Sequence, residues 1–320
     1  MRTSHGLALL VALAGSVQLS FGQETWQLLP LQIQTNQEAL IRLQAPPGKL
    51  YRLESSPDLR DWAGLATLLS AVSNQYTDSA APFARTRFYR VMEAVTNAVT
   101  GDHLATADGE VTFHLVSHAS FVMTWNDKVI YCDPVGAALF QGLPRADLIL
   151  VTHAHADHYD AGTLSAVKGP NSVILAPPIV VQSMASGLKN LAVTLTNGAR
   201  TNLLDLSVEA VPAYNLTSTW HLKGAGNGYV LTLGGKRVYV SGDTEDTPEL
   251  RGLRNIDVAF VCMNLPYTMS VEKAASAVRE FQPKVVYVYH YRGYTSNDLN
   301  RFKQLVGTDR AIEVRLRNWY

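Results

Sequence analysis

The feature that most constrains the fold is a strand followed at once by a cluster of metal-binding side chains. Residues 148–152 form a continuous apolar run, typical of a central strand covered on both faces. His153, His155, Asp157 and His158 follow within six positions. Because a loop at a strand end can fold around one point, we expect these four side chains to converge. Imidazoles and a carboxylate suit a zinc-like ion, so the sequence predicts a metal site here.

This spacing of His-x-His-x-Asp-His after an apolar strand resembles the signature of the metallo-β-lactamase superfamily. The resemblance covers residues 111–320, about two thirds of the chain. It implies an α+β fold, an αββα sandwich that holds two metal ions at one edge of its two sheets. It also implies an enzyme, a metal-dependent hydrolase. Residues 213–224, 264–269 and 289–291 most resemble the ascorbate-6-phosphate-lactonase-like branch.

Three later segments match the ligand motifs that this resemblance requires. His221 lies in a His-Leu-Lys-Gly segment, Asp243 in Ser-Gly-Asp-Thr, and His290 in Tyr-Val-Tyr-His-Tyr. The resemblance implies two divalent ions, expected to be zinc, with manganese or iron as alternatives. Each ion has three ligands of its own, and one aspartate bridges both. The predicted ligands of one ion are His153, His155 and His221, and those of the other are Asp157, His158 and His290. Asp243 is the predicted bridge between the two ions.

Four residues near these motifs are candidates for catalysis. Asp157 is expected to take or relay a proton while it binds metal. His118, in Ser-His-Ala-Ser, resembles the Gly-His-Ala-Ser segment of the lactonase-like branch, which implies a pocket residue; a purely structural role is the alternative. Asn264 and Tyr267 follow an apolar strand and are candidates to donate hydrogen bonds to a developing oxyanion. A turn at Pro266 with a buried tyrosine explains the same pair structurally.

Other residues beside the motifs are given supporting roles. Asp133 ends a predicted strand at an Asp-Pro step, and we expect it to support the histidine loop rather than bind metal. Lys223, Tyr291 and Arg292 adjoin predicted ligands. They are candidates to attract an anionic group, with solvated side chains as the default.

The implied chemistry is hydrolysis by a hydroxide that bridges the two ions, because divalent cations bring the pKa of a bound water towards neutrality. The favoured substrate is a small molecule with an ester, lactone or amide bond. The alternatives are phosphodiester cleavage on the same ions and a secreted metal-binding protein without catalysis. Antibiotic-hydrolysing enzymes of this fold usually carry Cys or Ser where Asp243 stands. The short separation of Asp243 and His290 excludes the large insert of the superfamily's nucleases.

Charge and cysteine content narrow the class of protein. Lys plus Arg and Asp plus Glu both number 27, so no overall field favours nucleic acid, and no nucleic-acid partner is expected. The two cysteines, Cys132 and Cys262, lie in apolar strand-like runs and are expected to be buried free thiols. Nothing in the sequence predicts the oligomeric state.

The N-terminus is typical of an export signal. Arg2 precedes the apolar residues 7–14, and Ser20-Phe21-Gly22 places small residues before Gln23. The apolar run is too short to span a membrane, which takes about 20 residues. We therefore expect residues 1–22 to be a signal peptide, no membrane span, and a periplasmic or secreted protein.

Residues 23–92 are expected to form a small β-sandwich accessory domain, followed by a polar linker over residues 93–110. The segments Tyr-Arg-Leu-Glu-Ser-Ser at 51–56 and Phe-Tyr-Arg at 88–90 resemble modules of exported bacterial proteins. Trp62, Tyr76 and Tyr89 are expected in the module's core. His103, in the linker, is expected to be solvated.

Elements of the catalytic domain, residues 111–320, can be predicted from apolar periodicity. Strands are expected at 111–115, 121–125 and 128–132, with Asn126-Asp127 as a two-residue hairpin turn. Apolar residues at helical spacing predict helices over 161–167, 180–187 and 271–281.

Overall fold

The computed structural model describes residues 9–12, 26–70, 72, 74–95 and 98–320. The chain divides into two compact units, residues 1–105 with 110–114 and residues 106–109 with 115–320. Of the predicted signal peptide only the backbone of Leu9–Ala12 is described, as a strand, and the rest lies outside the described residues. No helix in the described ranges is long and apolar enough to cross a membrane.

The first unit is a β module. Along β4 the more buried residues alternate with less buried ones, so Ile41 and Leu43 point to one face and pack with Tyr51 and Leu53. In the larger sheet β5 lies between β6 and β8, and β9 pairs with β6; β4 pairs with β2, β3 and β7 in the smaller one. The predicted all-β module is confirmed. Its strands are β1 (Leu9–Ala12), β2 (Gln27–Leu28), β3 (Gln32–Ile33), β4 (Ala39–Gln44), β5 (Leu50–Ser56), β6 (Ala63–Leu69), β7 (Gln75–Asp78), β8 (Thr86–Glu93) and β9 (Gly101–Thr106).

Two of the three predicted core aromatics lie in this module's core. Tyr76 and Tyr89 are buried there, whereas Trp62 is partly exposed. Its indole nitrogen donates to the carbonyl of Leu59 at 3.2 Å, and the Arg90 guanidinium lies 4.2 Å from the ring centroid. The prediction for Trp62 is therefore wrong, because its loop holds the ring at the surface, where Arg90 covers it.

Part of the predicted linker, residues 93–110, is strand. β9 spans Gly101–Thr106, and its His103 is buried rather than solvated. His103 Nε2 lies 2.9 Å from the Thr67 hydroxyl, and its Nδ1 contacts Glu110. The polar composition does not predict this strand, because the buried His103 is paired with side chains of other strands.

Glu110 is the centre of a charged network in the first unit. The Arg52 guanidinium donates to both Glu110 carboxylate oxygens, at 2.8 and 2.9 Å, and also to Glu54 at 2.8 Å. Burial opposes the charge on Glu110, but hydrogen bonds from His103 and Arg52 outweigh it and lower its pKa to about 2. A carboxylate with a lowered pKa stabilises the fold above its unfolded-state pKa, and this contribution is lost as the pH falls.

We expect Glu110→Gln to lower the free energy of unfolding at pH 7 by about 2 kcal/mol. The native protein should lose stability between pH 4.5 and about 2, and the variant should lose less in that window. Urea unfolding followed by circular dichroism measures both effects. The control is Glu93→Gln, whose exposed partner Lys49 lies 3.5 Å away and contributes little. Equal losses in the two variants would contradict the assignment.

The second unit contains two sheets and six helices. The first sheet has the order β11-β12-β13-β14-β15 and is parallel from β12 onward. The second runs from β16 to β22 in sequence order, antiparallel up to β19 and parallel after it. β10 (Gly109–Ser117) contributes residues to both units. The strands are β11 (Ser120–Trp125), β12 (Lys128–Cys132), β13 (Ala146–Leu150), β14 (Lys168–Ala176), β15 (Ala192–Thr194), β16 (Arg200–Leu203), β17 (Leu206–Ala213), β18 (Gly226–Leu233), β19 (Lys236–Val240), β20 (Val258–Cys262), β21 (Val285–Tyr289) and β22 (Glu313–Arg315). The helices are α1 (Ala161–Val167), α2 (Pro178–Ser183), α3 (Ser186–Lys189), α4 (Pro248–Arg251), α5 (Val271–Phe281) and α6 (Ser296–Val306).

These elements form four layers. Leu164 of α1 and Val180 of α2 pack with Ile149 and Ile174 on one face of the first sheet. On its other face the ring of Phe121 stacks on Phe260 of the second sheet, with centroids 4.2 Å apart. Beyond that sheet, Phe281 of α5 meets Tyr239 edge-on at 6.2 Å. The order is helix, sheet, sheet, helix, which confirms the predicted αββα sandwich.

Most predicted elements of this unit match the structure, with three differences. The strand expected at 148–152 ends at Leu150, because the amide of Thr152 donates to the Asp133 side chain instead of a neighbouring strand. The helix expected at 180–187 is two short helices, since Met184 and Ala185 are extended. Helix α6 was not predicted, although Thr295 and Asp298 form a capping box at its start.

The two cysteines are free and buried, as expected. Burial raises the pKa of Cys262 to about 12 and that of Cys132 well above its usual value. Neither sulfur is a thiolate at neutral pH, so these residues contribute packing rather than reactivity.

Candidate metal centre

Every predicted ligand lies in a loop at one edge of the second unit's sheets. The His-x-His-x-Asp-His loop follows β13, and His221 lies between β17 and β18. Asp243 follows β19, and His290 comes directly after β21. Because the ends of neighbouring parallel strands meet at one edge, side chains distant in sequence come together there.

The structure brings the first predicted group together. The ligand atoms of His153, His155 and His221 all lie within 4.8 Å of one another. His153 Nε2 is 3.1 Å from His155 Nδ1. His155 is exposed, while His153 and His221 are buried, so this group opens to solvent on the His155 side.

The second predicted group also converges, and Asp243 adjoins both. The ligand atoms of Asp157, His158 and His290 lie within 4.8 Å of one another, together with one from His118. One Asp243 oxygen lies 3.3 Å from His158 Nε2. Its other oxygen lies 3.3 Å from His221 Nε2 and 3.4 Å from His290 Nε2. The Asp243 carboxylate therefore adjoins ligand atoms of both groups.

The donor atoms fit a cation. Four atoms at this point are buried without a hydrogen-bond partner among the described residues: His158 Nε2, His221 Nε2, His290 Nε2 and Asp243 Oδ1. An unpartnered buried polar atom costs about 1–3 kcal/mol, so four together require an explanation. Imidazole nitrogens and a carboxylate oxygen aimed at one place are the ligand set of a divalent transition metal.

Asp133 orients the histidine loop. Its carboxylate accepts hydrogen bonds at 2.7 Å from the amide and the hydroxyl of Thr152, and from His158 Nδ1. Because Nδ1 of His158 carries the donated proton, Nε2 presents its lone pair to the site. The structure therefore supports the predicted role for Asp133.

Two asparagines orient other ligand histidines in the same way. Asn215 Oδ1 accepts from the Nδ1 of His221 at 2.7 Å and from its amide at 2.9 Å. The Asn264 side chain faces His290 Nδ1 at 3.4 Å. With its oxygen toward His290, its nitrogen donates to the carbonyls of Leu265 and Arg292, at 3.3 and 3.0 Å.

This arrangement engages the Asn264 side chain with its neighbours, and donation to an oxyanion stays a prediction. Both amide hydrogens are used by backbone carbonyls, and the oxygen is used by His290. Asn264 thus contacts His290 in the way that Asp133 contacts His158. Asn215, whose role was not predicted, does the same for His221, and nothing in the local sequence identifies that contact.

Gly242 allows Asp243 to reach the site. Its φ is +59°, and a Cβ there would lie 2.9 Å from Thr152 Cβ and 3.0 Å from the Asn227 carbonyl oxygen. Only glycine takes this conformation without strain at such close approach. The Ser-Gly-Asp-Thr motif thus has a steric basis.

His118 lies against the second group, and its role as a pocket residue stays a prediction. Its Nε2 is 2.9 Å from an Asp157 oxygen, and its Nδ1 is 2.6 Å from the Tyr320 hydroxyl. Its ring centroid is 3.9 Å from that of His290. Burial lowers the pKa of His118, against the pull of Asp157. The neutral ring donates to Asp157 and accepts from Tyr320, a contact between residues too distant in sequence to predict.

Tyr267 is open to solvent, whereas the polar groups of Lys223 and Tyr291 are engaged by other residues. Tyr267 is 41% exposed, so the alternative of a buried tyrosine in a turn is wrong. Lys223 Nζ is engaged by Glu249 at 2.8 Å, and the Tyr291 hydroxyl donates to the Arg317 carbonyl. Neither Lys223 nor Tyr291 is thus free for an anionic group.

Comparison with known proteins identifies the family. A model of the beta-lactamase superfamily domain matches residues 111–290. The chain belongs to the metallo-β-lactamase superfamily. Within this superfamily it is similar to a UPF0173 metal-dependent hydrolase of Pyrococcus abyssi, 32% identical over 64% of this chain and 96% of the relative. A second such relative, from Thermus thermophilus, is 31% identical over 58% of this chain and 85% of its own length.

A solved structure gives the same result. A metal-dependent hydrolase from Parabacteroides distasonis is 37% identical, with a TM-score of 0.63, over 69% of this chain and 99% of that protein. The metallo-β-lactamase superfamily protein described here is therefore a metal-dependent hydrolase. These matches do not distinguish the lactonase-like branch, which stays a prediction.

We expect Asp133→Asn to lower metal affinity by about 10- to 100-fold, because His158 loses the carboxylate that orients it. Competition with a chromophoric chelator measures the affinity, and circular dichroism checks the fold. Asp147→Asn is the control, since that carboxylate also accepts a strand amide, from Val129, but lies outside the metal groups. Unchanged affinity in Asp133→Asn would contradict the role assigned to Asp133.

Proposed function

We propose that the protein is a binuclear hydrolase of small molecules that contain an ester, lactone or amide bond. The observation that carries this proposal is Asp243, whose carboxylate adjoins ligand atoms of both groups: one oxygen lies 3.3 Å from His221 Nε2 and 3.4 Å from His290 Nε2, and the other lies 3.3 Å from His158 Nε2. A carboxylate shared in this way favours two ions over one. Zinc is the expected metal, with manganese or iron as alternatives, because this donor set accepts all three.

The residues of each group have distinct tasks. His153, His155 and His221 would hold one ion, and Asp157, His158 and His290 the other. When bound, the ions supply activation of water and polarisation of the scissile carbonyl.

Asp157 stays the candidate to take or relay a proton, and its carboxylate is ionised and accessible. Burial opposes its charge, but the hydrogen bond with His118 and the nearby His290 ring, whose Nε2 lies 3.4 Å from an Asp157 oxygen, hold its pKa far below the usual range, so it is ionised. Its side chain is 47% exposed, so an arriving substrate can reach it. Tyr267, exposed next to Asn264, stays the candidate donor to the developing oxyanion.

The cavity beside the first group favours esters, lactones and amides of carboxylic acids over phosphodiesters, because its described lining residues include no Lys or Arg. This cavity measures about 250 Å³, and no Lys or Arg is among its described lining residues. Enzymes that bind phosphate groups commonly use Arg or Lys for this purpose. Lys223, the nearest cation in sequence to His221, is paired with Glu249.

We expect His155→Ala to reduce kcat/KM on an active ester or lactone by more than the 10- to 100-fold typical of a lost supporting residue. The measurement is a panel of lactones, esters, amides, β-lactams and a phosphodiester, with and without added zinc or manganese. The control is His114→Gln, a histidine of β10 outside the ligand groups. Full activity of His155→Ala after complete metal removal would overturn the mechanism.

We also propose that the protein is exported, on the basis of Arg2, the apolar residues 7–14 and the Ser-Phe-Gly step before Gln23. The mature chain is then expected to begin at Gln23, as intact mass of the periplasmic or extracellular fraction would show. Leu10→Arg, which breaks the apolar run, should leave a full-length cytoplasmic chain. An unprocessed native chain in the cytoplasm would contradict this proposal.

A further inference from the structure

The cavity beside the first histidine group has an apolar wall. Apart from the predicted ligands, its large side chains are Ile179, Trp220 and Leu222, and Thr219 adds a hydroxyl. The remaining lining residues are alanine and glycine. The polar side chains of the cavity are therefore mostly the predicted metal ligands. Its other large side chains offer a mainly apolar surface to a bound molecule.

This apolar wall is open to solvent. Ile179 is 47% exposed, Trp220 51% and Leu222 61%. Grouped large apolar side chains are rarely left exposed without a function, because burying each contributes about 1.5–3 kcal/mol. Their position against His155 and His221 indicates a surface that a ligand covers when it reaches the metal centre.

The wall is held in place by contacts with the metal-site framework. Trp220 meets Tyr267 edge-on, with ring centroids 4.9 Å apart. The Tyr267 carbonyl accepts from Asn215 Nδ2 at 2.9 Å, and the oxygen of the same carboxamide accepts from His221. The aromatic pair is thus fixed relative to a ligand histidine, so an apolar group bound there keeps a defined distance from the reacting atoms.

We propose that this wall, formed by Ile179, Trp220 and Leu222, binds the apolar part of an uncharged substrate, namely an ester, lactone or amide whose acyl group carries an aromatic ring or aliphatic chain. The inference rests on the proposed function and specifies its substrate class. The cavity of about 250 Å³ has room for a small ring or a short aliphatic chain beside the predicted ligands. Hydrolysis breaks the acyl carbon–oxygen or carbon–nitrogen bond; water adds OH to the acyl carbon and hydrogen to the leaving group.

The first test compares methyl esters that differ only in their acyl group. With the metal-loaded enzyme, kcat/KM for methyl phenylacetate and methyl hexanoate should exceed that for methyl acetate by about 10-fold or more, measured by proton release. Trp220→Ala and Leu222→Ser should reduce this ratio to below about 3. Leu305→Ser, an exposed leucine of α6, should leave it unchanged.

The second test needs no turnover. Saturation-transfer NMR with N-methyl-2-phenylacetamide, which carries a benzyl group on its acyl carbon, and with N-methylacetamide as its small counterpart, detects binding to the wall directly. Binding of the benzyl compound that is lost in Trp220→Ala and Leu222→Ser, but kept in Leu305→Ser, supports the inference even if no methyl ester is cleaved. In that case the choice of ester chemistry fails while the apolar site stands.

Three outcomes would overturn the inference. Ester hydrolysis with equal kcat/KM for all acyl groups, and no benzyl-specific binding, leaves the proposed function intact but removes the apolar site. Preference for a phosphodiester over every ester removes both. A dimer in sedimentation experiments that Trp220→Ala dissociates assigns the wall to contact between two copies of the chain.

Discussion

The buried Asp133 carboxylate is the interaction on which the rest of the centre depends. It lies at the end of β12, in a left-handed backbone conformation, and is fully buried. Three donors surround it, the amide and hydroxyl of Thr152 and the ring of His158. Hydrogen bonds to a charged acceptor are about twice as strong as neutral ones. This carboxylate therefore ends β13, starts the histidine loop and sets the tautomer of a ligand with one side chain.

Three of the predicted ligand histidines are oriented in the same way, through a contact with their Nδ1 atom. His158, His221 and His290 each have Nδ1 facing an oxygen-bearing side chain, from Asp133, Asn215 and Asn264. Each Nε2 is in turn buried without a partner among the described residues. The three rings are therefore held in the orientation that metal binding requires, and without an ion their Nε2 atoms lose the hydrogen bonds that water would give them. Metal binding and folding stability are coupled as a result.

Sequence predicted which residues converge at the site better than it predicted the residues that contact them. The histidine loop, His221, Asp243 and His290 each lie in a short motif at a strand end, so local pattern was sufficient. The role of Asn264 depends on the carbonyl of Arg292, which only the folded sheet edge brings near. The contact between His118 and Tyr320 joins residues 202 positions apart. The strand around His103 was hidden for a related reason, since its polar residues are buried against partners from other strands.

Asn215 joins the metal centre to the apolar wall. Its carboxamide oxygen accepts from His221, while its nitrogen donates to the Tyr267 carbonyl and, at 3.2 Å, to Glu245. Glu245 is itself held by Lys273 of α5 and by Thr217. A planar amide cannot rotate to serve one partner without losing the other. The position of the apolar wall and the orientation of the predicted ligand His221 are consequently set by one group, so displacement of the wall would be transmitted to the candidate metal centre.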